Sequence, residues 1–331
     1  MNKSACSRWI LWTLSSALMF GCIERELPVP AREPGAINLA EANLGVDYDT
    51  QLFYSLTNNR VESSCQQKDW CVALRSDSGS DSDFTYMMLN SARAMKTHHT
   101  GSTNLELDID LDNILDEDWE IMDPTGGISD SMLSLRLLPN ELVMIDLGYN
   151  EENEKIGSAR IALIDIQSTH WTLHIADADG SNADTIEVSN RDEYTWNQMS
   201  ILNRTENQIE PPTDDWEICI TQYMELLGGE IPYLVVGILT PTSRVSVYET
   251  SNVDWDLWKT NDWTVLEFSE AWNTIGYDWK SYDLSTGAYE IDFDKIFCIQ
   301  TDEGREFIMR MLDFYDANGN KGNVTFEVLE R

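Results

Sequence analysis

The chain lacks the signatures by which enzymes are usually recognised. GxSxG, HExxH, GxGxxG and the Walker phosphate loop are all missing, which removes the common hydrolase, zinc-protease and nucleotide-binding chemistries. Cysteine is scarce at six residues and no two form CxxC, so neither a dithiol redox pair nor a zinc knuckle is on offer. Basic residues are few: 22 Lys and Arg face 58 Asp and Glu, a net charge of −36. A polyanion of that size repels nucleic acid and anionic membrane surfaces. Long apolar runs are also wanting. The uncharged stretch Trp9–Phe20 falls short of the roughly 20 residues a membrane-crossing helix needs, and no other segment looks transmembrane. Few stretches hold a helical period across three turns.

What is present begins with an export pattern. Lys3 and Arg8 give a short positive region ahead of Trp9–Phe20, the layout of a secretory signal over residues 1–21. Leu18-Met19-Phe20-Gly21-Cys22 resembles a bacterial lipobox, which makes Cys22 the expected lipidated first residue of the mature chain. Residues 22–36 carry three prolines and alternating charges without an apolar period, so they read as a tether. The expected mature protein is thus held on a lipid bilayer by acyl chains, and losing Lys3 and Arg8 takes its charge to −38. Twelve tryptophans and 10% aromatic residues argue against disorder and supply a core for residues 37–331.

Within that body, short alternating segments recur between turn signals. Trp171, Leu173 and Ile175 share one strand face while Thr172 and His174 take the other. Val324, Phe326 and Val328 line a return strand after the turn-forming Asp316–Asn323. The expected fold class is all-β, antiparallel sheets with minor helix, one domain that would divide, if into two sub-units, near residues 150–157. Cys65 and Cys71 flank a segment a tight turn could close, making them a disulfide candidate in an exported chain. Asp69-Trp70 and Asp215-Trp216 each precede an apolar run, most simply a tryptophan opening two strands. Asp108, Asp110 and Asp112 alternate as in a calcium loop, but Asn113 and Trp119 break it; Asp316, Asn318, Asn320 and Glu327 match four liganding positions of a second, in which Gly319 and Lys321 are misplaced.

Several segments in order resemble the HmuY-like haem-binding lipoproteins of Bacteroidota in their longer form. These are DWCVAL (69–74) with YMMLNSARAM (86–95), MIDLGYNEENEKIGSARI (144–161), IEPPTDDWEICITQY (209–223), PYLVVGIL (232–239), IGYDWKSYDL (275–284) and FIMRMLDFYDANGNKGNVTFEV (307–328). Glu24 and Glu26 behind Cys22 resemble the acidic export signals of some Bacteroidota lipoproteins. The resemblance implies a non-catalytic protein on the outer membrane, at the cell surface, that binds haem for uptake and passes it to an outer-membrane receptor. The alternative is a surface adhesin or glycan-binding module, for which an exposed indole would stack on sugar.

The resemblance carries no axial ligand onto a numbered residue, but geometry limits the choice. Opposed imidazole nitrogens on one iron lie about 4 Å apart. His170 and His174 on one strand are separated by roughly 13 Å, and His98 and His99 point to opposite faces. A bis-histidine site therefore pairs His98 or His99 with His170 or His174; otherwise Met87, Met88 or Met95 serves. Arg93 and Lys96 are candidates for haem propionates.

Overall fold

The computed structural model describes residues 37–76, 84–123, 125, 135–242 and 244–331. The signal segment 1–21, Cys22 and the tether 22–36 lie outside the described residues. The body is built from antiparallel sheets, and among the described residues the only α-helix is the four-residue Trp255–Trp258. No described helix is long and apolar enough to cross a membrane.

Four larger sheets pack as two sandwiches. The first sheet orders strands Asn38–Asn43, Lys321–Glu330, Glu306–Tyr315, Ile296–Thr301 and Val245–Thr250. The second orders Ile231–Leu239, Ile218–Leu227, Thr50–Ser55 and Arg60–Gln66. Their facing sides bury Leu52, Tyr54, Ile220, Phe297, Met309 and Phe326 in one core. The third sheet orders Asp184–Ser189, His170–Asp177, Ser158–Ile166, Val143–Asp146 and Lys96–His99. The fourth orders Thr205–Glu206, Trp196–Ser200, Val72–Arg75, Thr85–Leu89 and Leu135–Leu137. Between them lies a second core holding Leu74, Met87, Ile145, Ile161 and Trp171. The chain thus starts in one sandwich, makes the whole of the other, and returns. Residues 150–157, where two sub-units would have divided, instead link two strands that pair within the third sheet.

Local chemistry explains these elements. Trp171, Leu173 and Ile175 are fully buried while Thr172 and His174 are half-buried, the period-2 pattern of a one-faced strand. The C-terminal hairpin pairs Met309 with Val328 and Met311 with Phe326. Its turn is held by the Asp316 carboxylate, which accepts hydrogen bonds from the Asn318 and Asn320 backbone N–H groups and from Asn320 Nδ2. Gly319 at φ +81 supplies the left-handed step.

The expected Cys65–Cys71 disulfide does not form: both thiols are free. The intervening 3-10 turn Gln67–Asp69 carries the chain out of the second sheet and into the fourth. Cys65 therefore packs at the junction between the sandwiches and Cys71 inside the second core. Burial pushes the Cys65 thiol well above its ordinary range, which also makes it a poor thiolate nucleophile.

Candidate functional site

All four histidines belong to the third sheet, on strands that do not touch. His98 sits opposite Met144, Met144 opposite Arg160, and Arg160 opposite Ala176. Three interstrand steps of about 4.8 Å therefore separate the strand of His98 from that of His170 and His174, about 14 Å in all. His98, His170 and His174 share the face turned away from the core, and the buried Arg160 stands between the two strands. Its guanidinium donates to the Ala178 and Leu107 carbonyls at 2.7 and 2.8 Å. His99 faces the other way, with Nδ1 at 3.3 Å from Glu141 Oε1. The structure thus brings neither His98 nor His99 together with His170 or His174.

His98 is nevertheless set up as a donor of one lone pair. Its Nδ1 lies 3.0 Å from the Asp118 carbonyl oxygen. Only the Nδ1–H tautomer makes that a hydrogen bond, and it leaves Nε2 as the basic nitrogen, the arrangement seen around metal-binding imidazoles. The ring is half-buried beside Trp119, with centroids 6.0 Å apart and planes inclined at 54°. Lys96 lies on the same strand face, opposite Asp146. His170 Nδ1 lies 3.1 Å from the Thr169 hydroxyl.

The remaining candidates separate by burial. Met87 and Met95 are sealed in the second core. Met88, one residue on, turns to the opposite face and lines a cleft. Arg93 is buried at 6% exposure with Nη1 at 3.7 Å from Cys71 Sγ, so its guanidinium is spent inside the protein rather than offered at the surface.

The cleft is the feature that sequence reading missed. It lies where the outer side of the second sheet meets that of the fourth, with Phe53 and Cys219 from one and Met88 from the other. Trp70, Trp196, Trp216 and Trp272 line it. Its interior volume is about 70 Å³. That space is enough for several water molecules or a compact group. The Asp-Trp echo was its one trace in sequence. Trp70 and Trp216 each follow a one-turn 3-10 helix and adopt nearly the same backbone, φ/ψ −139/161 and −143/149, and both indoles reach this cleft.

Polar groups in the cleft are few and placed. Gln51 accepts from Trp70 Nε1 at 3.0 Å and donates to Cys219 Sγ at 3.3 Å. Burial pushes the Cys219 thiol up to about 12. Gln198 Oε1 accepts from the backbone N–H groups of Ile209 and Glu210 at 3.0 and 2.7 Å, which pins the Glu210 backbone in place. The Glu210 side chain is buried, and its Oε1 has no hydrogen-bond partner among the described residues. Burial raises its carboxyl well above the usual range, with the Thr195 backbone N–H opposing the shift. Trp216 Nε1 is likewise buried without a partner. Such orphaned groups cost about 1–3 kcal/mol each, and native proteins keep few of them.

Among the described residues no three His, Cys, Asp or Glu side chains converge to hold a metal ion. No described tryptophan is more than partly exposed.

Paired antiparallel sheets with a small, tryptophan-lined cleft between them make this an all-β protein. The sequence model of the HmuY protein family matches residues 47–328, and the chain belongs to that family. No curated protein matches. Among solved structures, a putative HmuY-like heme binding protein from Bacteroides vulgatus is 16% identical, with 51% of this chain and 90% of that chain covered and a TM-score of 0.25. Apo PinO from Porphyromonas gingivitis is 9% identical, covering 89% of this chain and 97% of its own, with a TM-score of 0.32. The apo HmuY analogue of Tannerella forsythia is 7% identical, covering 91% and 99%, with a TM-score of 0.24. These likenesses are too remote to carry a site residue across.

Proposed function

We propose that this chain is a haem-binding lipoprotein of the outer membrane, acting as a carrier rather than an enzyme and handing haem to a receptor. The observation that carries the reading is the family match over residues 47–328, nearly all of the body beyond the tether. The described residues fit one axial ligand and not the bis-histidine pair that strand geometry had left open. His98 Nε2 would hold the iron, Trp119 would offer a flat aromatic face beside the macrocycle, and Lys96 a cation for a propionate. An iron bound there supplies the ligand-sensitive absorption by which binding is read.

Titrating haemin into the mature protein is expected to shift the Soret band at about one equivalent, with a Kd of about 1 μM or tighter, roughly −8 kcal/mol or more. His98→Ala is expected to weaken binding at least about tenfold, a loss of roughly 1.4 kcal/mol, while His170→Ala and His174→Ala leave it unchanged. A flat spectrum in both ferric and ferrous states, on folded protein, would remove haem from the account. Full retention in His98→Ala would show that His98 is not the axial ligand.

The anchor has its own test. Cys22→Ser leaves no thiol to accept lipid, so cells fed an alkyne fatty acid should label the wild-type protein and not the variant. Equal labelling of both would end the lipoprotein reading.

A further inference from the structure

The cleft between the sandwiches has no part in the reading above, and its chemistry points to a different ligand. We infer that the cleft lined by Trp70, Trp196, Trp216, Trp272 and Glu210 binds a small organic ammonium ion carrying an oxygen acceptor. The inference is independent of haem at His98.

Three observations converge on that class. Four indoles border one narrow space, and tryptophan is the side chain whose ring face attracts a cation best, the basis of aromatic cages for quaternary ammonium groups. Glu210 brings a buried carboxyl whose Oε1 meets no donor among the described residues, and a cation in the cleft would give the ionised form its missing counter-charge. The net charge of −36 raises the local concentration of cations at any concave site.

Other ligand classes fit less well. An anion would meet Glu210 and the field of the whole protein. A wholly apolar molecule would leave both Glu210 Oε1 and the Trp216 indole N–H unpaired, which buried polar groups tolerate poorly. A hard inorganic cation such as calcium needs six or more oxygens, whereas no three His, Cys, Asp or Glu side chains among the described residues are placed to hold a metal ion. An alkylammonium with a hydroxyl or carbonyl satisfies both orphans, since the cation meets the carboxyl and the oxygen accepts from Trp216 Nε1. The interior volume of about 70 Å³ limits the ligand to a compact head group, with any longer portion in the mouth.

The test compares choline with 3,3-dimethyl-1-butanol, which has the same shape and hydroxyl but no charge, by tryptophan fluorescence and calorimetry on the mature protein. Choline is expected to bind with a Kd below about 1 mM, at least tenfold tighter than the neutral compound. Glu210→Gln keeps the shape and removes the charge, so it should abolish most of that preference. Equal affinity of the wild type for both compounds would show an apolar pocket and overturn the inference, and so would binding of neither up to tens of millimolar. Because the comparison uses wild-type protein, it stands even if Glu210→Gln fails to fold. Choline binding that persists in His98→Ala would keep the outcome separate from that of haem.

Discussion

Replacing Glu217 with leucine is expected to destabilise the protein by about 3–5 kcal/mol, the range for breaking a buried ion pair by removing one partner. Glu217 is fully buried and Arg244 is 5% exposed, with Arg244 Nη2 at 3.4 Å from Glu217 Oε1. The carboxylate does more than pair. Its Oε2 accepts from the Leu56 backbone N–H at 2.7 Å and the Ser55 hydroxyl at 3.3 Å, and its Oε1 accepts from the Thr57 hydroxyl at 2.9 Å. Arg244 Nη1 in turn donates to the Trp216 carbonyl at 2.6 Å. This knot ties the turn after strand Thr50–Ser55 to the entry of strand Ile218–Leu227, and both to the start of Val245–Thr250 across the sandwich. Leucine fills the volume but strands the buried Leu56 N–H and leaves the guanidinium only the more exposed Asp214 and Asp302 carboxylates, 3.8 and 3.7 Å from its Nε.

In urea the midpoint should fall while the slope stays constant, because the surface exposed on unfolding hardly changes. A loss of 3–5 kcal/mol is a large share of the roughly 5–15 kcal/mol that holds a typical domain. The double variant Glu217→Leu with Arg244→Met should recover much of it, since replacing both charges removes the uncompensated one. A midpoint that barely moves in the single variant would mean that the knot contributes little.

The second large effect is one of pH and centres on Lys280. Its ammonium is buried in the first core, 4.1 Å from the Trp279 ring centroid and 4.8 Å from that of Phe314. It donates to the Val236 carbonyl at 2.5 Å. Burial pulls its pKa down from the lysine range to about 7, with Asp278 opposing. Below pH 7 the amine is charged in both folded and unfolded chains, so the cost of burying the charge is present in full. Between 7 and the unfolded value of about 10.5 the unfolded chain holds a proton the folded chain has lost, and stability rises with pH. Above that the contribution is gone.

Lys280→Met should therefore gain most at pH 6 and progressively less toward pH 10. The stability difference between variant and wild type should shrink across that window by an amount on the order of 4 kcal/mol. Denaturant midpoints of both proteins from pH 6 to 10 decide it. Parallel curves would mean that the amine titrates normally and that water reaches it.

These two clusters show where sequence reading stops. Glu217 and Arg244 stand 27 residues apart, and nothing in the local pattern marks either as buried or joined. Lys280 sits beside Trp279 in the segment IGYDWKSYDL, where alternation alone would turn a lysine outward. The same limit applies to the site. Met87 and Met88 are neighbours, yet one is sealed in a core and the other lines the cleft, and only the sheet on either side distinguishes them.

By itself the sequence determined what depends on near neighbours along the chain. The alternation at 171–175 and 324–328, the Asp316–Asn323 turn and the ordered family segments all report contacts within a strand or a hairpin, because side-chain period and turn chemistry are local properties. Only the tertiary structure decided which strands meet. Phe53 pairs with Cys219, Arg75 with Trp196 and Asn38 with Val328, and such pairings follow from the packing of whole sheets rather than from any local signal. That choice places His98 three strands from His174, parts Cys65 from Cys71, and brings Glu210, Met88 and four tryptophans to a single cleft, because a period of two sets the face a side chain takes and leaves open what it will meet there.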